Sequence, residues 1–323
     1  MIWQVEEGIA ETRALLLDGA DVVAARMDWP GQLMAGEVAD AILIHRARGS
    51  RRGTVTFPNG QEALIDRLPS SANEGAPLRC RVTRPAMAER DRRKFAHAVP
   101  SDAPVSPAPL LSEALRADGH EVQIARRFPP GLWEDVWMEA WSGTFPFDGG
   151  ELAFFDTAAM TLIDIDGTGT PRELALAAVP ALAAALRRFD MGGNIGVDFP
   201  TLSAKADRKA VDSKLGGLLN DWPHERTAMN GFGFVQIVAR LQHPSLLQRI
   251  HHARRSAAAR LLLRRGEHLE GAGHVLLTCH PAIKAKLSEE WLQELGRRAG
   301  RQVQVEANAD LALEAGQAQL VQS

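Results

Sequence analysis

The sequence predicts a mixed chain of the α+β or α/β class: a small β-barrel, then a mixed α/β domain, then a small C-terminal α/β unit. Three observations predict it. Short apolar runs follow one another closely between residues 36 and 98, a proline-rich stretch occupies 99–110, and a strand–helix–strand pattern lies at 161–199. The chain has 323 residues, 45% of them hydrophobic and 24% charged, which suffices for two or three cores and predicts no bulk disorder.

In chain order, Ala14–Leu17 and Val22–Ala25 flank Asp18-Gly19, a tight-turn pair, and predict a hairpin that ends at Trp29-Pro30-Gly31. Val38–Ile44, Gly53–Phe57, Glu62–Ile65 and Leu78–Val82 are short strand-like runs separated by Gly, Pro, Asn and Ser, as in a small barrel. Phe57 stands just before Pro58-Asn59-Gly60. Such a ring either stacks on a base or fills the core at a turn, and spacing alone favours the core. The stretch 99–110 reads as a linker. Beyond it come a helix near 110–118, a strand near 120–126 and an amphipathic helix near 131–142. That helix carries Trp133, Trp137 and Trp141 at i, i+4, i+8, a core stripe.

Leu152–Phe155 and Thr161–Asp166 are strands around a turn. Thr170-Pro171-Arg172-Glu173 supplies an N-cap, a proline at the first helical position and a capping-box Glu. The Ala/Leu-rich helix runs to about Phe189 with a bend expected at Pro180, Gly192-Gly193 ends it, and Ile195–Phe199 is the next strand. A strand, a crossover helix and a strand make parallel neighbours. A helix near 204–219, a strand pair near 224–239, a helix near 250–265 and a βαβ-like piece (274–278, 287–299, 303–306) complete the chain.

Net charge is −3, which does not favour a nucleic-acid binder, although a local basic stripe is enough to meet phosphates. Two stripes are candidates: Arg84, Arg90, Arg92, Arg93 and Lys94, and Arg249, Arg254, Arg255, Arg260, Arg264 and Arg265; each reads equally as a solvated face. Cys80 and Cys279 are too few for a disulfide framework or a CxxC zinc site and fit a reducing compartment. The first residues, with Glu6, Glu7 and Glu11, do not read as a signal peptide. No apolar run approaches the ~20 residues that span a bilayer, so the expected location is cytoplasmic, away from membranes.

Asp164 and Asp166 sit at alternate positions of one strand and share a face, and Asp198 ends the next strand. Sites in parallel sheets gather at the carboxyl ends of strands. Acids brought together there repel, and a hard divalent cation removes the conflict. Strand-end carboxylates equally cap helices or face solvent. The run Asp164-Ile165-Asp166-Gly167-Thr168 also resembles the nucleophile loop of haloacid-dehalogenase-type phosphatases, but the downstream GDxxxD-like acidic run of that family is missing.

Five motifs then carry a more specific resemblance. The run from Phe155 to Leu174, with Ile163-Asp164-Ile165-Asp166, resembles the "ID-x-N" segment of the bacterial ribonuclease E/G family. Asp190-Met191-Gly192-Gly193-Asn194-Ile195 through Asp198-Phe199 is similar to its "RD-GG-x-I-x-x-DF" stretch. Arg208, Val211 and Leu215 match "R-x-x-V-x-x-x-L", Phe232-Gly233-Phe234 through Ile237 resembles "FGLxEM", and His243-Pro244-Ser245-Leu246 resembles "SPSL". The resemblance implies an endoribonuclease in which Asp164 and Asp198 hold a catalytic Mg²⁺, with Asp166 as a third oxygen. It also implies single-stranded RNA gripped by Phe57, Arg90, Arg208 and Lys209, and cleavage to a 5′-phosphate and a 3′-hydroxyl.

The domains it implies are an RNase H-like hairpin (1–35), an OB-type barrel (36–98), the linker (99–110), a remnant RNase H-like segment (111–150), a DNase I-like nuclease domain (151–249) and a small α/β domain for self-association (250–323). Four departures stand out. No cysteine follows Leu246 where the family has its zinc link. The segment before the Trp helix is too short for a 5′-end pocket. Asp166 replaces an Asn, and Gln236 replaces a Glu.

Overall fold

The computed structural model describes residues 1–88, 93–157 and 159–322. Strands β1 (Ile2–Gly8), β2 (Glu11–Asp18) and β3 (Asp21–Asp28) form an antiparallel meander. The expected hairpin is β2–β3, turned by Gly19 at φ 62°, a conformation glycine adopts without steric cost. The apolar pattern gives no sign of β1, because Glu6 lies inside it. That carboxylate is buried and accepts from Arg13 (2.6 Å), Arg264 (2.7 Å) and the Phe128 amide (3.0 Å).

Next come β4 (Val38–Arg46), β5 (Gly53–Thr56), β6 (Glu62–Ile65), β7 (Pro77–Arg84), the short pair β8 (Met87–Ala88) and β9 (Arg93–Lys94), and β10 (Ala96–Pro100). Five of these close into a barrel in the order β10-β6-β5-β4-β7, with β6 and β10 parallel and the other pairs antiparallel. This order is compatible with an OB-type barrel. The barrel encloses a core of its own around Leu43, Val55, Phe57, Ile65 and Val82.

The proline-rich stretch does not hang free. Its first two residues belong to β10, Ser106 bridges to Val38 through two backbone hydrogen bonds of 3.0 Å, and Pro109 packs against Gly36 so closely that a Cβ there would lie 2.8 Å from its ring.

Helix α1 (Leu111–Ala117) leads to β11 (Val122–Ala125), which pairs parallel with β1, and then to α2 (Leu132–Ser142). Trp133, Trp137 and Trp141 of α2 are buried as expected, the last two stacked with centroids 4.8 Å apart. The central sheet uses β12 (Thr144–Phe147), β13 (Gly150–Asp156), β14 (Thr161–Gly167), β15 (Gly193–Asp198), β16 (His224–Arg226) and β17 (Phe234–Ala239), in the order β12-β13-β14-β15-β17-β16. Only β14 and β15 run parallel, because helix α3 (Pro171–Arg188) crosses between them; α4 (Lys205–Leu218) follows β15. The sheet starts at Thr144, inside the segment assigned from sequence to a remnant 111–150 unit.

Then come α5 (Leu246–Ile250), α6 (Arg254–Glu267), β18 (His274–Cys279), α7 (Pro281–Lys284), α8 (Glu289–Ala299), β19 (Val303–Ala307) and β20 (Gln317–Val321). The three strands form a sheet in the order β19-β18-β20. One apolar core runs from Leu15 and Met27 through the Trp helix, α3 and the central sheet to Leu262 of α6, Val275 of β18 and Leu295 of α8. The C-terminal unit is therefore continuous with the rest.

The second basic run is mostly internal. Arg249, Arg260 and Arg264 are buried, Arg254 lies 4.6 Å over Trp141, and Arg260 is sandwiched between Trp29 (4.0 Å) and Trp291 (4.7 Å). Neither a solvated face nor a phosphate stripe describes it, since these guanidiniums tie α6 to β1–β3 and α2. Arg255 alone of the run is exposed.

Candidate functional site

The central sheet has one covered face and one open one. Ile163, Ile165, Ile195, Val197, Val235 and Ile237 point into the core. Side chains alternate along a strand, so Leu162, Asp164, Asp166, Gly196, Asp198, Phe234 and Gln236 fall on the opposite face. The parallel register sets Asp164 directly beside Asp198, and the row across the sheet reads Ala153, Asp164, Asp198, Phe234. Adjacent strands stand about 4.8 Å apart, so the two carboxylates are next-door neighbours on one face. Asp164 is half-buried, and Asp166 and Asp198 are exposed.

One further carboxylate joins them. Glu151 of β13 is the register partner of Asp166 and is exposed on the same face. The sequence signals its outward direction through the alternation with Leu152 and Phe154, but not which residue it faces. That depends on hairpin register, which the turn around Thr157 leaves open.

None of these four acids forms an ion pair among the described residues. Within the same residues, Asp164 Oδ1 accepts the amide of Ile165, at 3.1 Å. Nor do the acids cap helices. The N-cap of α3 is Thr170, in a reciprocal box with Glu173, and α4 has no side-chain cap. Carboxylates on neighbouring strands of one face repel one another, and a cation between them would relieve that repulsion. Among the described residues no group of three or more His, Cys, Asp or Glu is placed to hold a metal. What the fold supplies is a pair of acids, the number that usually holds Mg²⁺ when substrate phosphate and water complete the shell.

The other residues singled out by sequence lie elsewhere. Phe57 is 3% exposed inside the barrel, so the turn residue fills the core and its ring faces are not open to a base. Arg90 lies outside the described residues, as does Arg92. Arg84 is buried and donates to the carbonyls of Pro85 (3.3 Å) and Phe95 (2.7 Å). Arg208 donates to the carbonyls of Ser203 (2.9 Å) and Leu202, so its guanidinium secures the loop that leaves Asp198. Lys209 is exposed on α4.

Two half-buried His–Asp pairs brace the surroundings. His252 Nε2 meets Asp156 Oδ2 at 2.8 Å, and His243 Nδ1 meets Asp190 Oδ2 at 2.7 Å. Burial works against charge on Asp156, but His252 and the Thr161 hydroxyl outweigh it and hold its pKa below the usual value. Asp190 is similarly held down, against its burial, by His243.

No helix of the described residues is long and apolar enough to cross a membrane. No family model matches the chain, and no curated protein matches it either.

Proposed function

We propose that this chain is a Mg²⁺-dependent endoribonuclease acting on single-stranded RNA in the cytoplasm. The observation that carries the reading is the cross-strand pair Asp164–Asp198, side by side on an open sheet face with no ion-pair partner among the described residues. The ordered motif resemblance to the ribonuclease E/G family supports the same assignment. On this reading the central sheet is a DNase I-like nuclease core, the barrel is an OB-type module for single strands, and the C-terminal unit mediates self-association without a zinc link.

Asp164 and Asp198 would hold the ion, and Asp166 would orient its water shell from two positions further along β14. Bound there, Mg²⁺ supplies a polarised phosphate and a water of lowered pKa. The residues themselves fix two oxygens on rigid neighbouring strands, and Arg208 keeps the loop after Asp198 in place.

Labelled single-stranded RNA, incubated with and without Mg²⁺, tests this. Cleavage is expected only with the ion, with a fall of at least about 100-fold in Asp164→Asn and in Asp198→Asn and retained RNA binding. A second reading, an RNA-binding protein without turnover, is favoured by Gln236, a neutral amide on the open face where the resembled family has a carboxylate. Binding without cleavage in the unaltered chain would select it. Turnover of a small phosphomonoester, blocked by beryllofluoride at Asp164, would instead select the phosphatase.

A further inference from the structure

The open face also carries aromatic rings that the metal chemistry does not use. Gly196 lies next to Leu162 on one side and Gln236 on the other, one row back from the carboxylate pair. A Cβ at this position would meet Phe234 Cζ at 2.5 Å, Met160 Sδ at 2.8 Å and Leu162 Cδ2 at 2.9 Å. The glycine thus lets three apolar side chains close over the sheet and form a floor beside Asp198.

Two exposed rings belong to the chain segments next to this floor. Phe155, the register partner of Leu162, is 55% exposed, and Phe232 is 81% exposed. By backbone position the carboxylate pair lies between them: Phe155 is on β13, and Phe232 is in the turn that enters β17 next to the end of β15.

Single exposed rings are ordinary on protein surfaces. Phe232 differs because its backbone is fixed. Asn230 Oδ1 accepts from the amides of Phe232 (2.9 Å) and Phe234 (3.1 Å), and the Gly233 carbonyl accepts from the Phe199 amide at 3.2 Å. Gly233 has φ 93°, and a Cβ there would lie 2.4 Å from the Phe199 carbonyl. The turn therefore fixes the backbone that carries an exposed ring beside the strand end that carries Asp198.

Charge decides what this surface can hold. Four carboxylates face the same way, so this end of the face repels a polyanion. A strand lying here needs the charge of the pair cancelled, by a cation or by Asp-to-Asn substitution, and a source of affinity on either side. Stacking supplies that without regard to base identity.

Building on the nuclease reading above, we infer that Phe232 and Phe155 are stacking platforms for the bases that flank the phosphate held at Asp164 and Asp198, with Phe232 the principal one. Both are positioning residues, not catalytic ones.

The test uses the full chain carrying Asp164→Asn and Asp198→Asn, so that binding is read without turnover, together with the cleaving form. Adding Phe232→Ala is expected to weaken binding of a short single-stranded RNA about tenfold, and Phe232→Trp to restore it, with the new indole quenched by the oligonucleotide. A series of RNAs, each lacking one base, should contain a position whose loss weakens binding equally when Phe232 is present and not at all in the Phe232→Ala background. In the cleaving form Phe232→Ala should raise KM with little change in kcat.

Unchanged affinity in Phe232→Ala, or a full abasic penalty at every position in that variant, would overturn the inference. So would quenching of the introduced indole in Phe232→Trp by self-association in the absence of RNA. Binding that behaves as expected in a chain that never cleaves would defeat the nuclease reading while leaving the platforms standing. No binding of any single strand would defeat both.

Discussion

His268 shows how burial sets a single residue's chemistry. It sits where α6 meets β1 and the C-terminal sheet, lining a cavity of about 510 Å³ with Arg127, Arg264, Arg265 and Gln317. Burial pushes its pKa down to about 4. Glu6, 3.7 Å away, pulls it back only in part, because Arg264, Arg127 and Arg13 face the same ring. The imidazole is neutral in the fold but accepts a proton in the unfolded chain near pH 6.5. The unfolded state therefore gains protons first as pH falls, and stability drops between about pH 6.5 and 4, by at most about 3 kcal/mol. Urea melts across that range should show the slope in the unaltered chain and a flatter profile in His268→Gln; equal slopes would remove His268 from the account. Phe57 teaches a related lesson about single residues. Its place before Pro58-Asn59-Gly60 fits both a core ring and a stacking ring, and only the barrel's closure, which sequence does not display, puts it inside.

At the scale of elements, the unit that brings Asp164 beside Asp198 is readable because its signals are local. Thr170, Pro171 and Glu173 specify where α3 begins: the Glu173 amide donates to Thr170 Oγ1 at 3.3 Å, and the Thr170 amide donates to Glu173 Oε2 at 3.1 Å. Gly192-Gly193 specifies where the return starts, with Gly193 at φ 87° and no room for a Cβ at Gly192, 2.7 Å from the Arg240 carbonyl. Thr170→Ala should cost about 1 kcal/mol in chemical denaturation without moving the register of β14 and β15. A loss below about 0.3 kcal/mol would mean that the cap does not anchor the crossover. Elements whose partners are distant in sequence are illegible for the opposite reason. β1 looks like a charged start until Arg13 and Arg264 reach Glu6, and the arginines of α6 look like a solvent stripe until Trp29, Trp141 and Trp291 cover them. Glu151 belongs to the acidic face only through hairpin pairing, which leaves no mark in a single sequence.

The whole molecule combines a barrel that has its own core with a larger body whose core passes from the N-terminal meander to the last sheet without a break. That continuity holds one face of the central sheet rigid from behind while leaving the other free, and the acids stand on the free side. A cluster of like charges without ion-pair partners among the described residues, on a rigid scaffold, is a cost that a site for a cation would offset. Manganese, which accepts the same oxygen ligands as magnesium and is visible by electron paramagnetic resonance, tests this most directly. Titrated with a short single-stranded RNA into the unaltered full chain and into each of Asp164→Asn and Asp198→Asn, it should fill one site per chain in the first and lose that site in both variants. Equal manganese binding in all three proteins would show that these two acids do not share an ion.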